Sequence, residues 1–202
     1  MQIVLVRHGA PEVSAAVPAR SWPLSSEGRV ASARLGPAAS RRDVPDPPPE
    51  GVPGGLLGVL PASSLAVAST EPKSIETLCL ALGTRSVATD ARFDEVARPG
   101  EPFDTSFRQA RRAWVEGTLD GRHAGWEPPD VAAFRFDAAV RAHARAGGAD
   151  ATGTRTLVIG THGMVLTAWL VSIGRVDPGA PAARAWDELS FPDVLHLEYD
   201  LA

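Results

Sequence analysis

The chain has a single cysteine and a single lysine among its 202 residues. With Cys79 alone no intrachain disulfide can form, and its apolar helical context, Leu78-Cys79-Leu80, reads as core packing. No apolar run approaches the about 18 residues of a membrane helix, and the first strand pattern begins at residue 2, so neither a spanning segment nor a signal peptide is expected. A cytoplasmic location is the corresponding expectation. A basic stripe is also missing: formal charge is -4, the pI is near 5.7 and the charges are interspersed. Nucleic acid and membrane are therefore not expected partners, whereas a small anion in a local cationic pocket is compatible. The glycines do not form a Gly-x-Gly-x-x-Gly fingerprint, and no Gly-x-Ser-x-Gly elbow occurs, which sets aside dinucleotide binding and a serine hydrolase. The length suits one domain over residues 1–202, with no composition break to divide it.

What the chain does have is concentrated at two strand ends. Ile3-Val4-Leu5-Val6 is an apolar run of the kind covered on both faces, and it stops at Arg7-His8-Gly9. Thr156-Leu157-Val158-Ile159-Gly160 is a second such run, stopping at Thr161-His162-Gly163 before a helical pattern over residues 164–173. Strand C-terminal ends are where open α/β sheets bind ligands, so His8 and His162 are expected to share one crevice. Glycine after each histidine permits a sharp turn and close approach of a ligand.

Between these ends the pattern alternates. A helix is expected from Ser25 or Ser26 as N-cap to about Arg41, with Val30, Ala31, Ala33 and Leu35 apolar. Residues 43–63 form a proline- and glycine-rich loop, whose Leu56, Leu57, Val59 and Leu60 either fold back onto the core or form a flap. A strand at residues 65–69 leads into a helix from Pro72 to about Leu82, and residues 86–89 make a short strand. Residues 97–104 are a loop. Helices are expected over 105–119, with Trp114 and Val115 apolar, and over 129–146, with Val131, Phe134, Ala138 and Val140 apolar. The alternation over 194–199 predicts a closing strand with one wetter face. His123 and His143 lack metal-ligand spacing and are expected on the solvated surface, and His196 is expected to be structural.

Lys73 stands out because every other basic residue is arginine. In the first turn of its helix it opposes the dipole, which an anion bound in front of it would explain, although Glu71 could also neutralise it. A neutral imidazole at His8 among Arg7, His162 and Lys73 is a nucleophile among cations. The electrophile that suits such a pocket is a phosphoryl group, its oxygens held by Arg7, Lys73, His162 and the backbone N–H groups after the two glycines. Attack gives a phosphohistidine that water then hydrolyses, and a carboxylic acid protonates the leaving alkoxide.

These segments together resemble the histidine phosphatase superfamily, also called phosphoglycerate mutase-like. Arg7-His8-Gly9 and Thr161-His162-Gly163 match its two signature segments, and Pro23-Leu24-Ser25-Ser26-Glu27-Gly28-Arg29 resembles its Pro-Leu-Thr-x-x-Gly segment. Residues 69–77 resemble the segment with the second phosphate-binding arginine, Lys73 standing in the arginine position and Thr77 in the threonine position. Phe93-Asp94-Glu95 resembles the Leu-x-Glu that supplies the acid. The resemblance covers almost the whole chain. It implies a three-layer α/β/α domain with a mixed, mainly parallel sheet, and a metal-independent phosphomonoesterase with no cofactor and a small phosphorylated substrate. His8 is implied as nucleophile, Arg7, Lys73 and Gly163 as substrate-binding, His162 as stabiliser of the transferring group and Glu95 as proton donor. Asp94, Glu12, Glu71 and Glu127 are rival acids, and Glu12 and Ser14 lie in a loop that could reach a substrate. A mutase and a non-catalytic phosphate binder are the alternatives. Val96-Ala97-Arg98-Pro99-Gly100 lacks the Arg-x-Tyr-Gly mutase pattern, and retention of both histidines speaks for catalysis. Oligomeric state is left open.

Overall fold

The structure, a computed structural model, describes residues 1–36, 60, 64–101, 103–146 and 155–200. Five strands form one sheet in the order β3-β2-β4-β1-β5: β1 Gln2–Arg7, β2 Leu65–Ala68, β3 Ala88–Thr89, β4 Thr156–Thr161 and β5 Asp193–Glu198. The first four are mutually parallel, and β5 runs antiparallel to β1. β1 and β4 lie inside the sheet and are buried on both faces, which is why they read as unbroken apolar runs.

The strand period of two sends alternate residues of β1 into different cores. Ile3 and Leu5 join Leu157 and Ile159 against Trp114 of α3 (Phe107–Glu116), Phe136 of α4 (Pro129–Ala146), Val165 of α5 (Gly163–Ser172) and Trp186 of α6 (Ala180–Glu188). Val4 and Val6 join Val158 and Ala68 on the other face, against Leu35 and against Leu78 and Ala81 of α2 (Pro72–Leu82). Leu60 packs against this second core. The result is the expected α/β/α sandwich with a mixed, mainly parallel sheet.

Several elements differ from the sequence-based expectations. α1 spans Ser26–Ala33, with Ser25 Oγ accepting from the Gly28 N–H at 3.0 Å as the N-cap, and it ends well short of Arg41. Gly36-Pro37 follows, a pair that cannot continue a helix, yet Leu35 still buries itself below α2. α4 has the expected bounds but a rotated apolar face: Ala132, Ala133, Phe136, Ala139 and Val140 are buried, whereas Val131 and Phe134 are exposed. Small alanines let α4 lie close to α5, and so the larger residues were a poor guide to its inner face. Cys79 is only half-buried; Leu78 is the core residue of that turn. α6 has no counterpart among the expectations. Apart from Leu60, the loop over 43–63 lies outside the described residues. Among those described, no helix is long and apolar enough to cross a membrane.

Candidate active site

Parallel pairing of β1 with β4 puts Arg7 opposite Thr161, so His8 and His162 emerge side by side at the same sheet edge. The His8 N–H donates to the Thr161 carbonyl at 3.1 Å, and the two imidazole centroids are 5.0 Å apart. His8 Nδ1 lies 2.7 Å from its neighbour's carbonyl, Gly9 O. A carbonyl can only accept, so Nδ1 carries the proton and Nε2 presents a lone pair. Burial above all, then His162, Lys73 and Arg7, hold the His8 pKa well below the ordinary histidine value.

Glycine is needed here on packing grounds. A Cβ on Gly9 would fall 2.6 Å from Ser32 Oγ and 2.7 Å from the Gly28 carbonyl. On Gly28 it would fall 2.2 Å from the Ala10 carbonyl. Helix α1 thus lies backbone to backbone against the turn that carries His8. Thr77 ties that turn to α2, its hydroxyl accepting from the Gly9 N–H at 2.9 Å and donating to the Lys73 carbonyl at 2.7 Å.

His162 is fully buried, with Nε2 2.7 Å from Ser69 Oγ. Ser69 Oγ also accepts from the Glu71 N–H at 3.3 Å. Nδ1 has no partner within the protein. Burial first and Lys73 second also depress the His162 pKa. Arg7 is buried beneath Phe191, its guanidinium carbon 3.6 Å from the ring centroid, with Nη1 donating to the Leu189 carbonyl at 2.6 Å. Its Nε is a buried donor without a partner. Burial lowers the Arg7 pKa to about 10, against the pull of Glu95 and Asp193, so it stays a cation at neutral pH. Gly163 leaves room for it: a Cβ there would sit 3.2 Å from the guanidinium and 3.0 Å from Trp186 Nε1.

Lys73 is buried, not solvated, and its ammonium donates to the Ala19 carbonyl at 2.9 Å and to Glu71 Oε2. Glu95 sits at the amino end of α5, accepting from the N–H groups of Val165 and Val96 at 3.0 Å and of Met164 at 3.3 Å. Burial alone would raise its pKa, but Arg98, His162 and those backbone donors bring it down to about 2. The Met164 N–H, one of the backbone donors expected to face a phosphoryl group, is therefore engaged by Glu95.

His8, His162, Arg7, Lys73, Glu95 and Gly163 all line one small pocket. Arg98 and Arg111 line it too, both bonded to Glu101. Neither was singled out in the sequence, because only the folded chain brings α3 and the loop carrying Arg98 to the strand ends. The pocket opens into a cleft of about 1350 Å³ between the loop around Val17 and Trp22 and the loop around Arg98 and Phe103. Among the rival acids, Glu71, Asp94 and Glu127 border this cleft, with Asp94 bonded to Thr70 and Glu127 to Arg135. Glu12 and Ser14 line neither space. His123 and His143 are not solvated surface residues as expected. His123 is buried and bonded to the Ala110 carbonyl and the Asp120 N–H, and His143 is half-buried on Asp90. Among the described residues no group of three or more His, Cys, Asp or Glu side chains is arranged to hold a metal.

No protein-family profile matches the chain, and no curated protein sequence does. Solved structures do match over nearly its whole length. YhfR of Bacillus stearothermophilus is 19% identical, covers 98% of this chain and 91% of its own, and superposes with a TM-score of 0.67. A structure titled mycobacterial hydrolase 1 is 21% identical over 97% and 90%, with a TM-score of 0.62. A mycobacterial glucosyl-3-phosphoglycerate phosphatase is 19% identical over 96% and 88%, with a TM-score of 0.60. The chain has the phosphoglycerate mutase-like fold. Within that fold the two histidine-bearing strand ends and the lysine-bearing α2 converge on one pocket.

The buried histidines make stability depend on pH. Both resist protonation in the folded protein and accept it readily when unfolded, so stability is full above the ordinary histidine value and falls as pH drops below about 6.5. Glu71, raised by burial, acts in the opposite sense and offsets part of this. Two imidazoles outweigh one carboxyl, and the net effect is a loss of stability as pH falls. Thermal unfolding midpoints measured from pH 7 to 5 should fall steadily, and a flat profile would contradict the burial of neutral histidines.

Proposed function

We propose that this chain is a metal-independent phosphomonoester hydrolase that forms a phosphohistidine on His8. The observation that carries this reading is the locked tautomer of His8, whose bare Nε2 faces a pocket ringed by Arg7, Lys73 and His162. Two buried, unpartnered nitrogens, Arg7 Nε and His162 Nδ1, add to it, since an oxyanion would satisfy the N–H of the first and, with the ring proton on Nδ1, that of the second. The likeness to structures titled as phosphatases and hydrolases supports the same reading.

In this mechanism Nε2 attacks phosphorus in line, the ester P–O bond breaks, and Arg7, Lys73 and His162 hold the equatorial oxygens as charge spreads over them. The leaving alkoxide takes a proton from Glu95. Water then attacks the phosphohistidine, releasing inorganic phosphate and returning His8 to its neutral form. A carboxyl at about 2 is ionised at neutral pH before substrate binds. A phosphomonoester loses its second proton near pH 6, so the monoanion brings a proton with it, and its negative charge raises the neighbouring carboxyl. Departing groups occupy the large cleft, which Glu95 also borders.

Hydrolysis of p-nitrophenyl phosphate from pH 5 to 8 in the presence of EDTA tests the activity. Turnover that survives the chelator is expected, and turnover restored only by a metal would overturn the reading. Glu95→Gln tests the acid. It should slow an alkyl phosphate about 100-fold or more while changing p-nitrophenyl phosphate only a few-fold, because p-nitrophenolate leaves without help. Equal losses on both esters would mean that Glu95 holds α5 in place and passes on no proton.

A further inference from the structure

Glu71 is a buried carboxylate that the proposed mechanism does not use. It lies two residues before Lys73 and is only 6% exposed. Its Oε2 binds the Lys73 ammonium, its Oε1 accepts from the Glu95 N–H at 3.0 Å, and the same oxygen is 3.7 Å from His162 Nε2. The groups facing it are thus Lys73 from its own helix, His162 from the start of α5, and Glu95 and Asp94 from the loop after β3.

Lys73 has three ammonium protons, and two are spent on Glu71 and the Ala19 carbonyl. One is left for a phosphoryl oxygen, which must then sit close to the Glu71 carboxylate. Charge makes this placement unfavourable for a dianion. Arg7, Lys73, Arg98 and Arg111 line the pocket, against Glu95 in its wall and the paired Glu71 and Glu101. Over the pocket-lining side chains and the carboxylates paired with them, with neutral histidines, the surplus is a single positive charge. A monoanion matches it, whereas a dianion exceeds it and leaves two negative groups sharing one ammonium.

On the reading of this pocket as a phosphoryl site, we propose that Glu71 is a proton-accepting positioning residue: binding of a phosphoryl dianion at Lys73 is coupled to uptake of one proton by the Glu71 carboxylate. The proton comes from solvent and rests on a carboxyl oxygen, while Lys73 turns toward the ligand. No other bond changes. Burial already raises the Glu71 pKa against the pull of Lys73, so little further perturbation is required. A like charge brought alongside acts in that direction. The consequence is a site whose hold on dianions weakens as pH rises, letting the product dianion leave.

Sulfate is a suitable probe, since it remains a dianion across the range in which phosphate titrates. Calorimetric titration of the wild type with sulfate, in two buffers of different ionisation enthalpy, should show close to one proton taken up per sulfate bound at neutral pH. Affinity should fall about tenfold per pH unit above the carboxyl's pKa. In Glu71→Gln the uptake should vanish, the pH dependence should flatten and sulfate should bind more tightly at pH 8. Undiminished uptake in Glu71→Gln would assign the proton to His8 or His162 and overturn the proposal. An infrared difference spectrum of wild type with and without sulfate gives an answer independent of how well the variant folds: a new protonated-carboxyl band is expected, and an imidazolium signature alone would overturn it. Hydrolysis of p-nitrophenyl phosphate by the same preparation separates the two levels. Turnover with uptake independent of Glu71 refutes this inference alone, whereas neither turnover nor sulfate binding in wild type refutes the phosphoryl-site reading and this inference with it.

Discussion

His8→Ala is expected to lower kcat/KM for p-nitrophenyl phosphate by roughly four orders of magnitude or more. The imidazole supplies the bond-forming electron pair, and among the described residues no second side chain is placed to replace it. His162 is the nearest candidate, but its Nε2 is engaged by Ser69 and its pKa is depressed by burial and Lys73. The loss should not come from misfolding. The His8 side chain bonds only to the carbonyl beside it, while the turn itself is held by Thr77 and by the contact of Gly9 with α1. The thermal midpoint of the variant should therefore match wild type at pH 8 and exceed it at pH 5, because a buried imidazole that resists protonation has been removed. Steady-state kinetics with a melting curve at each pH checks both parts, and residual turnover within a hundredfold of wild type would rule out His8 as the nucleophile.

Arg7→Ala should come next in size, a loss of about 10²- to 10³-fold in kcat/KM, corresponding to about 3–4 kcal/mol of transition-state stabilisation. The guanidinium is pre-positioned at one end by the Leu189 carbonyl and by stacking on Phe191, and its free Nε is buried against Gly163, which lines the same pocket as His8. Such a donor needs no reorganisation when charge develops on phosphorus. Arg7→Lys should recover little of the loss, because a lysine ammonium cannot hold the carbonyl and the phosphoryl oxygen with one planar group. If the contact forms fully only in the transition state, kcat falls more than KM rises. A loss under tenfold would remove Arg7 from the reacting end of the pocket.

Much of this site was legible in the sequence, and the reason is local. An internal parallel strand must be apolar throughout, so the first polar residues after Val6 and Gly160 mark its end, where ligands bind. Lys73 was legible because it is the one lysine and stands where a helix would rather have an acid. The helix over Pro129–Ala146 announced both of its ends, though its alanine-rich inner face misled the choice of core residues.

What could not be read depends on contacts between distant segments. The platform under Arg7 comes from Phe191, and Trp186 of α6 packs by Gly163; nothing in the spacing of those residues points to either histidine. Arg98 and Arg111 look like ordinary surface arginines until Glu101 draws both to the pocket rim. The resemblance singled out Glu95 as the acid and left Glu71 among its rivals, with nothing in the spacing to show how either is held. Their environments set them apart, one pushed up by burial and the other brought down to about 2 by Arg98, His162 and the amino end of α5.

The most direct test of the central claim is to trap the covalent intermediate. Wild-type protein mixed with p-nitrophenyl phosphate and quenched in alkali within milliseconds should carry one phosphoryl group, stable to base and lost in acid, on the peptide containing His8. The His8→Ala variant should carry none. Label on another residue, or turnover with no label at any time point, would contradict catalysis through a phosphohistidine at His8.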